Sequence, residues 1–325
     1  MTKEYILITG ATGFIGSHVT EKLLTDESYC IVAIVRRKKN YKNVEELKNK
    51  GAILAEGDFY DINLVEKLFN EFPVQHVIHI AALRGGGAGK KDDYFKVNVL
   101  GTEALLKASL NNEVKKFIFC SSVGVYGTIP KELPASLNTE LKGDNEYHTS
   151  KIRAEESVQR FISMGLNAYI VRPTITYGKE DDGFPLTLVK MVRRKMLLLP
   201  FRDNKIHLLD VNKLVDVFVR ILIADSLKHR VFIVSDKAPI LLRELTNIIY
   251  FYYHNKNYPP FLKLPNFLFK SLLFFFRVLN NEKWVTRIQL IFQNWYYDVE
   301  KIDYPVGFES SNTKEEFLKF LRTLA

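Results

Sequence analysis

Residues 5–16 read YILITGATGFIG. An apolar run from Tyr5 to Thr9 meets three glycines, Gly10, Gly13 and Gly16, spaced three apart. The run predicts a buried strand, and the residues from Phe14 onward predict the helix after it. Glycines at a strand-to-helix turn let the chain reverse tightly. They also let the backbone approach a pyrophosphate, which then rests on the helix N-terminus, where free N–H groups and the helix dipole favour an anion. A glycine-rich turn alone is a weak sign. Placed after an apolar strand and at a helix start, it predicts a dinucleotide site.

The first half of the chain repeats this arrangement. Apolar runs at 5–9, 31–35, 52–55, 76–81, 116–120 and 168–172 alternate with helical patterns at about 14–25, 43–50, 61–71, 92–111 and 147–164. Such alternation predicts βαβ units around a parallel sheet. Strands that are apolar on both faces suit a sheet covered on both sides. VFIVSD at 231–236 follows a helical stretch at about 211–225 and is expected to rejoin the sheet. Beyond residue 173 the pattern changes. Residues 179–205 read as loop around a basic helical stretch, TLVKMVRRKMLLL, and 240–295 is rich in aromatics and punctuated by Pro259, Pro260 and Pro265. The tail ends in an amphipathic helix. The expected architecture is α/β: a Rossmann-type doubly wound parallel sheet from 1–173 plus about 205–236, and a smaller, mostly helical C-terminal substrate domain from 174–204 plus 237–325.

Composition narrows the class. The 325 residues are 47% hydrophobic and 26% charged, which is ordinary for a globular chain. Cys30 and Cys120 both lie in apolar runs, as buried thiols in a reducing compartment do. The start enters a strand directly with no signal-like apolar segment, and no apolar stretch reaches the length of a spanning helix. A cytoplasmic protein is expected. The formal charge of +9 fits a basic surface, an anionic small molecule or an anionic membrane surface. No nucleic-acid-binding motif accompanies it, so nucleic acid is not an expected partner.

CSSVGVYG at 120–127 and YHTSK at 147–151 carry the chemistry. Moving a hydride at an alcohol carbon also moves the hydroxyl proton, which calls for an acid/base group within reach of the oxygen. Tyr147 is the candidate. Lys151, four residues on, shares its helix face and is expected to lower the phenol pKa by roughly 1–3 units.

With TGATGFIG, these motifs resemble the extended branch of the short-chain dehydrogenase/reductase superfamily, the NAD-dependent epimerase/dehydratase family. The resemblance implies an enzyme that uses NAD(P). It assigns Ser122, Tyr147 and Lys151 to catalysis, with Lys151 also holding the nicotinamide ribose. It assigns Gly10, Gly13, Phe14, Ile15 and Gly16 to the cofactor turn. GDFYD at 57–61 places Asp58 at the adenine with Phe59 beside it. VIHIAA at 77–82 runs Ala81 and Ala82 along the cofactor, NVLGT at 98–102 supplies Asn98, and VRPTITYG at 171–178 puts Pro173 beside the nicotinamide. Ser122, Tyr147, Thr174 and Lys205 are the candidate substrate contacts, Lys205 toward a substrate diphosphate. A homodimer through 92–111 and 147–164 is implied by the same resemblance.

The reaction is less determined. Family 4,6-dehydratases carry an acidic pair directly after the catalytic Thr; here Val123 and Gly124 follow Ser122, which argues against dehydration. Epimerase and keto-reductase both remain, most naturally on a nucleotide-linked sugar. Residues 261–279, with Lys263, Lys270 and Arg277 among Phe and Leu, fit either an interfacial helix or a packing face. The first would suit peripheral membrane contact and a hydroxysteroid, isoprenoid or lipid-alcohol substrate. A non-catalytic NAD(P)-binding sensor is a third class, against which Ser122, Tyr147 and Lys151 argue. His79 reads as a core histidine and His148 as structural, and no histidine–cysteine spacing predicts a metal. The RGGGAG loop at 84–89 reads either as a flexible loop or as one that closes on a ligand. The second strand ends in Arg36 and Arg37, where an NAD-binding fold carries an acid for the ribose hydroxyl. A guanidinium there grips the 2′-phosphate instead, so NADP is expected over NAD.

Overall fold

The computed structural model describes residues 3–36, 41–85, 89–300 and 302–324. In chain order the elements are β1 (Glu4–Thr9), α1 (Phe14–Leu24), β2 (Tyr29–Val35), α2 (Tyr41–Asn49), β3 (Ile53–Glu56), α3 (Ile62–Glu71) and β4 (Val74–His79). A short α4 (Lys91–Tyr94), a π-helical turn (Phe95–Leu100) and α5 (Gly101–Asn111) run on as one rod, followed by β5 (Lys116–Cys120). Next come a 3₁₀ turn (Val123–Tyr126), α6 (Glu146–Ser163), β6 (Ala168–Pro173), β7 (Ile175–Tyr177), α7 (Phe184–Arg193), β8 (Leu199–Pro200), β9 (Lys205–Ile206) and β10 (Leu208–Asp210). The last are α8 (Val211–Ile223), β11 (Val231–Val234), β12 (Ile240–Leu241), α9 (Leu242–His254), β13 (Lys263–Leu264), α10 (Asn266–Val278), α11 (Glu282–Phe292) and α12 (Thr313–Thr323).

Among the described residues the main sheet has seven parallel strands in the order β11-β6-β5-β4-β1-β2-β3. The chain winds outward from β1 in both directions, so the strand order reverses between β1 and β4. Ligands in such sheets bind in the crevice at that switch point, beyond the carboxyl ends of the strands. The strand period of two divides the core. Ile6 and Ile8 join Ile78, Ile118 and Val171 on one face, where α1 and α8 pack. Leu7 joins Val77, Phe117 and Ile170 on the other, against α3, α5 and α6. Ile6, Leu7 and Ile8 are fully buried, which explains the unbroken apolar run in the sequence.

Two elements differ from their sequence pattern. The pattern at 92–111 reads as one helix, but the backbone widens into a π turn over Phe95–Leu100. A π turn takes more residues than an α turn, so the hydrogen bonds there run from i to i−5. The basic helix expected over 187–199 begins and ends earlier, at Phe184–Arg193, with Pro185 in its first turn, where a missing N–H does no harm. No helix among the described residues is long and apolar enough to cross a membrane. Both cysteines are free thiols.

Candidate active site

The glycine turn is built by steric necessity. Gly10 has φ +78°, and a Cβ there would lie 2.7 Å from the Ala81 backbone nitrogen. A Cβ on Gly16 would overlap the Gly10 carbonyl oxygen. That carbonyl instead accepts the Gly13 N–H at 2.9 Å. Gly13 caps α1 without a side chain, so the first-turn N–H groups around Phe14, Ile15 and Gly16 carry no N-cap side-chain bond among the described residues. Ala81 and Ala82 follow β4 beside this turn, and the Ala81 N–H donates to Thr9 Oγ1 at 3.2 Å.

A relay of hydrogen bonds fixes that region. Thr9 bonds His79 Nδ1 at 2.6 Å, and His79 Nε2 bonds Thr102 Oγ1 at 2.9 Å. Thr102 in turn donates to the Asn98 carbonyl. With Thr102 and Thr9 both donating onward, the ring carries its proton on Nε2. Burial holds the His79 pKa well below the usual histidine range, so the ring stays neutral. This is the core histidine expected. Asn98 lies in the π turn and is buried. Its side chain pairs with both the N–H (2.7 Å) and the carbonyl (3.0 Å) of Leu83, and it donates to Ser150 Oγ at 2.9 Å. Asn98 therefore shapes the segment after β4 and ties it to α6; its amide is fully engaged there. The Phe59 ring is likewise turned inward, against His79 and Gly101.

Arg36 directly follows β2 and is 58% exposed, with Nε 3.8 Å from Asp58 Oδ1. Asp58 also accepts from the Tyr60 hydroxyl at 3.0 Å. Arg37 lies outside the described residues.

The catalytic candidates meet at the ends of β5 and α6. Ser122 Oγ accepts the Gly124 N–H at 3.0 Å, capping the 3₁₀ turn and fixing the hydroxyl. Asn145 caps α6 and sets Tyr147 in its first turn. Lys151, one turn later and buried, donates from Nζ to the Cys120 carbonyl at 2.7 Å and stands 4.3 Å above the Phe119 ring.

The expected direction for Tyr147 is reversed. Burial pushes the phenol up to about 12, opposed by the Arg84 charge and by a hydrogen bond with Ser122. The same burial brings the Lys151 ammonium down to about 8. Desolvation of both groups outweighs the attraction that sequence spacing alone suggests.

The mouth of the site is framed by loops. Tyr94 donates to the Arg84 carbonyl, and a Cβ at Gly85 would touch Tyr147 at 3.4 Å. Arg84 Nη2 reaches Asp182 Oδ1 at 2.9 Å, joining the segment after β4 to the loop before α7. Residues 86–88 of the glycine loop lie outside the described residues. Pro173 closes β6, and the next hydroxyl, Thr174 Oγ1, is buried with no hydrogen-bond partner among the described residues. The same holds for Ser121 Oγ, at the end of the adjacent β5, which sequence reasoning passed over. Its signal was its place, one residue past a parallel strand's carboxyl end. His148 bonds Asp144 at 2.6 Å, and its ring fills the space that a side chain at Gly124 would need. That is a structural role. Lys205, on β9, is exposed, with Nζ 5.6 Å from the centre of the Tyr296 ring. The described residues hold no group of three or more His, Cys, Asp or Glu side chains arranged for a metal.

Comparison with known proteins agrees with this geometry. The family model described as "NAD dependent epimerase/dehydratase family" matches residues 6–234. A UDP-glucose 4-epimerase of Vibrio cholerae is 30% identical over 252 residues, 74% of this chain and 73% of its own. One of Haemophilus influenzae is 36% identical over 157 residues, 46% of each chain. Among solved structures, the UDP-glucose 4-epimerase of Thermotoga maritima, determined with UDP-glucose, shares the fold. Its TM-score is 0.78 at 20% identity, covering 98% of either chain.

Proposed function

This chain belongs to the NAD dependent epimerase/dehydratase family, and on that premise we propose that it moves hydride at a hydroxyl-bearing carbon of a nucleotide-linked sugar. The reading is carried by one juxtaposition. Ser122, Tyr147 and Lys151 stand at the carboxyl edge of the sheet, beside a turn whose glycines leave no room for side chains. NAD fits that turn, since Gly10 and Gly16 pack so closely on Ala81 and on the Gly10 carbonyl that side chains have no room, and no N-cap side chain bonds the first N–H groups of α1, where a pyrophosphate would rest. Bound there, it would accept a hydride from the carbon and return it. Tyr147 would take up and give back the hydroxyl proton, Ser122 would hold the oxygen, and the buried Lys151 would anchor the ribose. Thr174 and Ser121, with unpaired buried hydroxyls, would bind ligand polar groups. Residues 174–204 and 237–325 would form the substrate-binding part, with Lys205 toward the diphosphate. The segments 92–111 and 147–164 would pair two copies, where Phe95 and Leu100 are exposed. A small-molecule enzyme with free thiols suits the cytoplasm.

Within this class, 4-epimerisation of a UDP-sugar is favoured by the names of the relatives. No acid follows Ser122, which disfavours 4,6-dehydration. The direct test incubates the protein with NAD and each of UDP-glucose, UDP-galactose and their N-acetylamino counterparts, and follows the anomeric proton signals. Interconversion without net cofactor turnover is expected. Stoichiometric reduction of NAD with a keto-sugar released and no epimer formed would instead make it a dehydrogenase, a keto-reductase in the reverse direction. A second reading, a lipid or steroid alcohol as substrate, draws on the exposed apolar helix α10.

Cofactor choice turns on Arg36. Its guanidinium, exposed directly after β2 with no carboxylate before it on that strand, would meet a 2′-phosphate. NADP is expected to bind more tightly than NAD, by about tenfold for one charge-assisted contact. Arg36→Asp should reverse the order. Equal affinities for both cofactors, before and after the change, would refute a phosphate clamp at Arg36.

A further inference from the structure

Helix α10 turns little of its apolar surface inward. Phe269 is buried, and Leu273 and Phe276 are partly covered on the same face. The opposite face is apolar and exposed: Phe267 is 68% exposed, Phe274 70%, Phe275 55% and Val278 64%. Lys270 and Arg277, seven residues apart, line one edge of that face. Phe261 and Phe201 extend the surface, because β13 pairs with β8 and brings Lys263 Nζ within 5.9 Å of the Phe201 ring centre. Soluble surfaces seldom present so much contiguous apolar area without a use for it.

The segments that build and flank this surface also carry the chain's excess charge. Segments 190–203 and 255–293 hold eleven of the 46 lysines and arginines but only two of the 37 carboxylates, Asp203 and Glu282. That surplus equals the whole chain's formal charge of +9; the remainder is balanced. Among the described residues, none of the eleven cations forms an ion pair.

We infer that this face is a docking surface for an anionic lipid bilayer, with α10 lying in the interfacial plane. Aromatic and aliphatic side chains would enter the headgroup boundary while lysine and arginine stems reach anionic headgroups, as interfacial helices do. A second copy of the chain is a poorer occupant, since a two-fold contact would set one cationic face against another. The attachment is peripheral, no described helix being able to span. It also orients the enzyme. Leu279 to Lys283, the turn after α10 and the start of α11, line a cavity with Gly89, Tyr94 and Glu146, the residue before Tyr147. Docking through α10 therefore brings the mouth of the candidate active site toward the headgroups. The surface stands whether the substrate is a nucleotide sugar or a lipid alcohol, so its test reads binding and not turnover.

Flotation of the full chain with phosphatidylcholine vesicles, with and without phosphatidylglycerol, provides that test. Wild type should float with the anionic vesicles and much less with the neutral ones. F274S/F275S and K270E/R277E should each lower the bound fraction by about tenfold or more at low salt. All four positions are exposed, so circular dichroism should match wild type. Wild type remaining unbound with anionic vesicles would overturn the inference. So would equal flotation with neutral vesicles, or a concentration-dependent dimer that F274S/F275S abolishes.

Discussion

Tyr147→Phe lowers turnover by about 10²–10⁴-fold, the range for loss of a positioned acid/base group, while the unfolding transition and cofactor affinity stay near wild type. The ring is kept, so its place beside Gly85 and in the first turn of α6 persists. Only the hydroxyl is lost. The two chemical directions differ in what they ask of it. Giving a proton to a ketone oxygen needs the neutral phenol, which burial at about 12 supplies at neutral pH. Taking a proton from an alcohol needs tyrosinate, which that same burial makes scarce. Alcohol oxidation should therefore quicken as pH rises between about 6 and 8, where ketone reduction stays level. Lys151, brought down to about 8 by burial, sets the upper end of that window, because above it the ammonium that would anchor the ribose loses its charge. Single-turnover rates in both directions, for wild type and Tyr147→Phe, measure this. Unchanged turnover in the variant would remove Tyr147 from the chemistry.

Much of this site can be read from the chain because its parts are local. Gly10, Gly13 and Gly16 sit within one turn, Tyr147 and Lys151 share a helix face, and parallel strands announce themselves as apolar runs. What the sequence hides depends on residues far apart. The phenol's upward shift follows from burial, with Gly85 of the segment after β4 lying beside the ring, and no spacing rule around residue 147 contains that. Asn98 stands in a recognisable motif, yet its grip on Leu83 depends on a π turn that the helical pattern at 92–111 does not announce. Composition marks α10 as aromatic, but only the packing of Phe269 says which face is left exposed.

Arg172 is the clearest case of hidden long-range design, and its replacement should have the largest effect on stability. In the sequence it is one charge at the end of an apolar strand. In the fold it is 5% exposed, and Glu155, on α6, is 3% exposed. Arg172 Nε lies 2.9 Å from Glu155 Oε1 and 3.2 Å from Oε2; Nη2 also bonds Oε2, and Nη1 donates to the Tyr126 hydroxyl. Three elements around the site thus meet at one guanidinium: β6, the helix that carries Tyr147 and Lys151, and the turn that begins at Ser122. Arg172→Met leaves a buried carboxylate without its partner, which costs about 3–5 kcal/mol, a large part of a typical domain's stability of about 5–15 kcal/mol. A carboxylate stripped of its partner in a buried site resists ionisation. The folded variant would then keep a proton that the unfolded chain releases, so its stability should fall as pH rises from acid toward neutral. Arg172→Met/Glu155→Leu removes the stranded charge and should recover most of the loss, as replacement of buried ion pairs by apolar side chains does. Urea unfolding of the three proteins at two pH values decides the matter. A single variant within about 1 kcal/mol of wild type, the scale of an exposed pair, would mean that the buried fork does not hold α6 to the sheet.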